Sequence, residues 1–406
     1  MVKIRPVLRV DPDRVINDLR ELAALTSDER GAQRVAFTPG WERARDWLRA
    51  KLAALPVEVF EDGARNLWAT LPRGPGPALA IGSHLDSVPD GGWLDGALGV
   101  LAGLEVLRAW DGQPPRCLVL VDWADEEGRF GHSLLGSSAS AGVLDVDALR
   151  DTEAASVLDL DGLKRAAGQR PHLHAYLELH IEQGPILEAD GLPLAAVAGT
   201  YGVRRDRLRF RGEAAHAGAT PLAARRDPVL AGALFVAAAR RVAAELTGLA
   251  TVGAIESEPA TATAVARECR LTVDARHARL DGLGSLHAAL LTAAASAARD
   301  ERVALERDAM WSIDPIEFDP RLVAIAQEAI KDASRRDPLT SGPLHDAAAL
   351  ARGGIPVVML FVRSLGGVSH SPAEDSDEQD LRAAVLALAE LASAAASRFS
   401  RRSARV

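Results

Sequence analysis

Up to about residue 203, amphipathic helical runs alternate with short runs that are apolar throughout. "PGWERARDWLRAKLAAL" sets Trp41, Ala44, Leu48, Leu52 and Leu55 on one helical face. "PALAIGSH", "RCLVLVDWADEE" and "HAYLELHIEQG" each carry a continuous apolar stretch, as expected of parallel strands buried on both faces. "DGALGVLAGLEVLRAW", between the first two, predicts a helix. Strands alternating with helices predict an α/β sheet with right-handed crossovers.

The pattern changes near residue 203. "RRDRLRFRGEAAHAG" alternates polar and apolar residues, as in a strand with one wet face. A helix follows in "DPVLAGALFVAAARRVAAELTG", with Asp227 as its cap, Pro228 in its first turn and Gly248 as its stop. "TVGAIESEP" and "RECRLTVDARH" predict two more strands, and "GLGSLHAALLTAAASAARDER" a second helix. This is an α+β unit. After the proline-punctuated connection "SIDPIEFDP" the first style returns. It gives a helix from Asp319, a short helix from Asp346, and the buried strand "IPVVMLFV". Ser376 and Gln379, in capping-box spacing, are expected to open a last helix. The expected layout is one α/β domain, residues 1–202 and 317–406, interrupted by an α+β domain at 203–316.

Composition narrows the class. The chain has 406 residues, 48% hydrophobic and 25% charged. That is ordinary globular usage and too much chain for one core. A net charge of −9, with no basic stripe, excludes nucleic acid as the main partner. No apolar run is long enough for a membrane span, and "MVKIRPVLRVDPDR" has no signal core. Cys117 and Cys269 fall in strand-like runs and are expected as free thiols, which fits a reducing, cytoplasmic setting. The C-terminal "RFSRRSARV" is expected to be a solvated tail.

The candidate chemistry sits at four strand ends. "GSHLDSVPDGGWLDGALGV" supplies His84, Asp86 and Asp95, and "DEEGRF" supplies Glu126 and Glu127. "ELHIEQGP" supplies His180, and "GGVSHSPAED" supplies His370. Each feature alone has an ordinary explanation. A histidine after a strand is commonly a satisfied core or surface residue, Asp-Gly pairs mark turns, and paired glutamates form solvated faces. Four together, at the carboxyl edge where α/β sheets bind ligands, point to a metal site. The donors are nitrogen and oxygen, which suits Zn²⁺, Mn²⁺ or Co²⁺, and the lack of cysteine argues against structural zinc. Adjacent glutamates suit hydrolysis, since one can ligate while its neighbour acts as general base.

These segments, with "GEAAHAGATP", "TVDARH" and "GPLHDAA", resemble the M20 metallopeptidase-type amidohydrolases. More narrowly, the chain resembles the hydantoinase/carbamoylase amidase family: N-carbamoyl-L-amino-acid hydrolases, allantoate amidohydrolases and β-ureidopropionases. The matching segments run from about residue 35 to 385. The resemblance implies a mixed-sheet catalytic domain of metallo-exopeptidase type, interrupted by an α+β lid and dimerisation domain. It implies two divalent ions per subunit (Mn, Zn, Co or Ni) bridged by Asp95. One would take His84 and His180, the other Glu127 and His370. Glu126 would be the general base on the shared water, and Asp86 would hydrogen-bond and orient His84. Gln183 would contact the ureido or amide group of the substrate, and Arg276 its carboxylate. His216 would serve the oxyanion in the partner subunit of a homodimer. The implied reaction is cleavage of a C–N bond in an N-carbamoyl amino acid or related acid. A deacylase or dipeptidase on the same core is the alternative, and a catalytically silent binding protein of the same fold is a lesser one.

The chain departs from the family pattern in two places. Relatives carry an Asn in "NVIPG", where this chain has Thr263, with Ala266-Arg267 replacing Pro-Gly. Threonine offers only a hydroxyl. An altered carboxylate pocket is expected, unless Arg267 supplies a substitute donor. Arg363 in "FVRSLGG" has two open readings, an added anion contact or a variant strand-end loop.

Overall fold

The computed structural model describes residues 8–72, 74–110, 114–131, 133–330 and 337–399. The tail after Phe399 lies outside the described residues. The chain divides into two compact units, Met1–Gly199 with Glu317–Val406, and Thr200–Ile316.

The first unit is built on a nine-stranded mixed sheet. Its main strands are β1 (Glu58–Glu61), β2 (Leu67–Leu71), β3 (Ala78–His84), β4 (Leu118–Trp123), β5 (Leu173–Ile181), β6 (Leu194–Thr200) and β7 (Val357–Val362). Their order across the sheet is β6-β7-β5-β3-β4-β2-β1. β7, β5, β3 and β4 run parallel. β6 and β2 flank them antiparallel, and β1 pairs antiparallel with β2. Every residue of β3, β4, β5 and β7 is buried, which is why these runs read as continuously apolar. Burying each Leu, Ile or Val side chain in them contributes roughly 1.5–3 kcal/mol. The four parallel strands end at one edge of the sheet, and the candidate ligands sit there.

Helix Pro39–Leu52 buries Trp41, Ala44, Leu48 and Leu52, and Leu55 lies beyond its end. Helix Ala97–Ala109 is buried from Ala97 to Leu107 and lies against β3. Helix Pro320–Ala329 is capped by Asp319. The last helix, Glu378–Arg398, is capped by Asp377, which accepts the Gln379 N–H at 2.7 Å. The expected Ser376 cap is therefore displaced by a carboxylate one residue closer to the helix. Ser376 donates instead to the Arg363 carbonyl at 2.7 Å.

The second unit is a four-stranded antiparallel sheet in the order Leu249–Glu258, Glu268–His277, Gly202–Arg211, Ala304–Ile313. Helices Pro228–Glu245 and Leu280–Asp300 cover one face, around Leu208, Phe210, Phe235, Leu271 and Leu290. Asp227 caps the first of them, accepting from Val229 and Leu230. Strand Ala304–Ile313 has no counterpart in the sequence expectation. It is a mostly exposed edge strand, so burial imposes no apolar alternation on it. Among the described residues, Cys117 and Cys269 are free thiols, and no helix is long and apolar enough to cross a membrane.

Candidate metal centre

The sheet geometry brings the strand-end residues of the first unit together. His84 closes β3, and Glu126 and Glu127 lie in the turn after β4. His180 is the penultimate residue of β5, and His370 lies in the segment after β7. Asp95 precedes helix Ala97–Ala109, separated from it only by Gly96. Gly96 has φ +63°, and a side chain there would overlap the His84 ring and carbonyl. A glycine is thus required for Asp95 to approach His84.

Asp95 is the centre of the arrangement. Its Oδ1 lies 3.1 Å from His180 Nε2 and 3.7 Å from His84 Nε2. Its Oδ2 lies 3.4 Å from His370 Nε2, which is in turn 3.3 Å from Glu127 Oε2. Two candidate ligand groups result, His84–Asp95–His180 and Asp95–Glu127–His370, each with its donor atoms within 4.8 Å of one another. Glu126 Oε2 stands 3.7 Å from His84 Nε2.

The far nitrogens of both buried histidines are already spent. His84 Nδ1 contacts the Asp86 carbonyl at 3.1 Å, and His180 Nδ1 the Ile181 carbonyl at 2.9 Å. Each Nδ1 therefore carries a proton, which leaves Nε2 as the atom each ring can offer to a metal. His84 Nε2, His180 Nε2 and Glu127 Oε1 are buried without a hydrogen-bond partner among the described residues. Buried polar atoms left unpaired are costly. Two buried ring nitrogens set about a shared carboxylate fit a divalent cation.

The electrostatics agree. Burial pushes Glu126 well above the usual carboxylate range, and the charge of Glu127 adds to it. Burial and the Asp95 charge raise Glu127 to about 9, and burial raises Asp86 to about 7. Burial also drops His84 to about 3. Burial works against the charged forms of His180 and Asp95, yet their mutual attraction prevails. His180 rises to about 9, and Asp95 falls well below the carboxylate range. Carboxylates crowded this closely call for added positive charge.

Asp86 does not hydrogen-bond His84 through its side chain as expected. Its Oδ1 is 3.6 Å from His84 Nδ1, and its main-chain carbonyl takes that contact. The carboxylate accepts instead the N–H groups of Glu126 at 3.3 Å and Glu127 at 3.2 Å.

Comparison with known proteins gives the family. Residues 80–394 match the model of Peptidase family M20/M25/M40. The chain is 35% identical to the N-carbamoyl-L-amino acid amidohydrolase of Geobacillus stearothermophilus, over 86% of this chain and 90% of that one. It is 31% identical to the allantoate amidohydrolase of Bacillus subtilis (strain 168), over 90% of this chain and 93% of that one. A hydantoinase/carbamoylase family amidase from Burkholderia multivorans superposes with a TM-score of 0.87 at 30% identity, covering 95% of this chain and 98% of that one. The chain belongs to the M20/M25/M40 peptidase family. Within it, the chain falls in the hydantoinase/carbamoylase branch.

The other expected residues of this M20 chain are placed as follows. Gln183, with φ +56°, donates Nε2 to Asp95 Oδ2 at 2.8 Å and to Ser369 Oγ at 3.1 Å. Its Oε1 is buried without a partner among the described residues. His216 lies in the second unit, exposed, with Nδ1 accepting the N–H groups of Gly218 and Ala219, both at 3.1 Å. Arg276, also in the second unit, donates Nε to Asp274 at 2.7 Å. Arg267 is ion-paired with Glu258. Arg363 is bound to Asp380 at 2.6 Å.

Three residues of the site were not singled out from sequence. His345 is buried, with its ring centroid 4.3 Å from that of His180 and neither ring nitrogen hydrogen-bonded among the described residues. Ser369 and Glu374 both contact Asp95. The only signal for them was their place inside the motifs "GPLHDAA" and "SHSPAE".

Proposed function

We propose that this chain is a dinuclear metal-dependent amidohydrolase that cleaves a C–N bond of an N-carbamoyl amino acid or a related ureido or amide acid. The enzyme class follows from the family: the chain is a hydrolase of C–N bonds. The finer reading rests on one observation, that Asp95 turns one oxygen to His84 and His180 and the other to His370, beside Glu127. Two divalent ions (Mn, Zn, Co or Ni), one on His84 and His180 and one on Glu127 and His370, supply Lewis acidity and acidify water when bound.

The chain's own groups do the rest. Glu126 takes the proton from the attacking water and returns it to the leaving nitrogen, so that the C–N bond breaks to release an amine or ammonia. Its affinity for a proton, raised by burial, suits that shuttle. The unpaired Gln183 Oε1 accepts from the ureido or amide N–H of the substrate. His216 spends Nδ1 as an acceptor for the backbone, which leaves Nε2–H to donate to the developing oxyanion. Arg276 pairs with the substrate carboxylate.

His216 acts on the partner subunit's site in a homodimer. Self-association is supported by the edge strand Leu249–Glu258 and helix Pro228–Glu245, which expose Leu249, Ile255, Leu230 and Leu234. The second unit then serves as lid and dimerisation domain, and the free thiols accord with a cytoplasmic setting.

A panel of N-carbamoyl, N-formyl and N-acyl amino acids and ureido acids, offered to metal-reconstituted protein, tests the reading. Ammonia release from ureido substrates is expected. Turnover confined to N-acyl substrates replaces the reading with a deacylase, and no turnover of any member removes it.

A further inference from the structure

We propose that Glu374 is a positioning residue that fixes the Asp95 carboxylate between its two ligand groups, with Ser369 as the link. The inference rests on the metal site proposed above. Glu374 Oε1 accepts two main-chain N–H groups, from Leu94 at 3.0 Å and from Asp95 itself at 2.9 Å. Its Oε2 accepts from Ser369 Oγ at 3.0 Å. Ser369 Oγ also lies 3.1 Å from Asp95 Oδ2, the oxygen turned to His370. Glu374 thus grips Asp95 by its backbone and sets Ser369, whose single hydroxyl proton serves one carboxylate at a time, beside the Asp95 side chain.

Space is reserved for this contact. A side chain at Gly92 would overlap the Glu374 carboxyl group, so the glycine clears the path. At the other end of the same loop, the fully buried Arg34 donates to the Leu85 carbonyl at 2.8 Å and to that of Gly92 at 3.4 Å. Leu94 and Asp95 are buried, so removing Glu374 leaves two buried N–H groups without an acceptor. The loop then relaxes, and the Asp95 oxygens lose their set directions. Ser369, His370 and Glu374 come from one six-residue segment, so a ligand of one group travels with the device that aims the shared carboxylate.

Metal affinity reads this out without reference to turnover. Metal-free protein is titrated with Zn²⁺ or Mn²⁺ against a chromophoric chelator, with circular dichroism as the check on folding. Glu374→Ala is expected to weaken at least one of two ions by about tenfold or more, and Ser369→Ala to weaken the same ion. Glu374→Gln keeps an oxygen for the two amides and is expected to stay within about threefold of the parent, less than the smallest loss typical of a removed outer partner. Unchanged binding in Glu374→Ala overturns the inference. So does Glu374→Gln binding as weakly as the alanine variant, because the charge rather than the hydrogen bonds would then matter. If Glu374→Ala does not fold, Ser369→Ala decides, and parental affinity in it overturns the inference. A parent chain that binds no divalent ion removes the metal reading itself, and this inference with it. Two ions bound by the parent and unaltered in the variants remove this inference alone.

Discussion

The Asp86 carboxylate holds Glu126 by its main chain, accepting its N–H at Oδ1 over 3.3 Å. Oδ2 does the same for Glu127 at 3.2 Å. Asp86 therefore fixes the turn in which the proposed base and a proposed ligand stand side by side. Asp86→Ala is expected to weaken divalent-ion binding by about ten- to a hundredfold, the usual cost of losing an outer partner. Chelator competition measures it. Affinity equal to the parent would show that the turn holds its shape without Asp86.

Glu126→Gln separates proton transfer from ligation. Glutamine keeps the shape and cannot take a proton, so kcat is expected to fall by about 10²–10⁴. Metal content, measured by elemental analysis, is expected to stay at the parental level. Loss of metal in parallel with activity would make Glu126 a ligand instead.

Proton binding gives a third prediction, for chelated protein between pH 6.5 and 9. Glu127 is raised to about 9 through burial and Asp95, so its folded form holds a proton that the unfolded chain has released. His180 is also raised to about 9, by Asp95 against burial, from an ordinary value of 6.5. A raised folded pKa contributes stability that is fully present below the unfolded value and lost as pH rises through the folded one. Both groups act in the same direction in this window. His84, lowered to about 3 by burial, is neutral throughout it. The urea midpoint of metal-free protein is therefore expected to fall as pH rises across the window. Divalent-ion affinity is expected to rise over the same range, because ligation displaces those protons. A midpoint that climbs with pH would contradict the assignment.

The sheet and most of the site are legible in the sequence because burial on both faces leaves unbroken apolar runs. The residues just past those runs must then fall at one edge. His84, Glu127, His180 and His370 are recognisable for that reason. Strand Ala304–Ile313 is not, since most of its residues are exposed and no face imposes a pattern. The spacing His-x-Asp suggests a side-chain pair between His84 and Asp86. At the strand end, however, the Asp86 carbonyl comes nearer to the ring than its carboxylate does. The role of Glu374 is not legible, although it lies in a quoted motif, because its partner amides lie 279 and 280 positions away. His345 reaches His180 only through the fold.

Thr263 is the remaining departure. Its carbonyl accepts the Ala217 N–H at 3.0 Å, and its neighbour Ala264 pairs with His216 in a short ladder. The residue is thus fixed beside the proposed oxyanion donor, within the second unit. Arg267 is ion-paired with Glu258, as Arg276 is with Asp274. The Thr263 hydroxyl has one neighbouring hydroxyl, Thr261 Oγ1, at 3.4 Å. An asparagine would add an amide able to donate to a substrate carboxylate. Thr263→Asn is expected to raise kcat/KM for N-carbamoyl-L-amino acids by about ten- to a hundredfold, since a hydrogen bond to a charged group is worth roughly 1.5–3 kcal/mol. The gain is expected in KM, because carboxylate binding is common to ground and transition states. Steady-state kinetics on parent and variant check it. Parental kinetics that saturate normally on these substrates and do not respond to the asparagine would mean that the threonine leaves the carboxylate pocket intact.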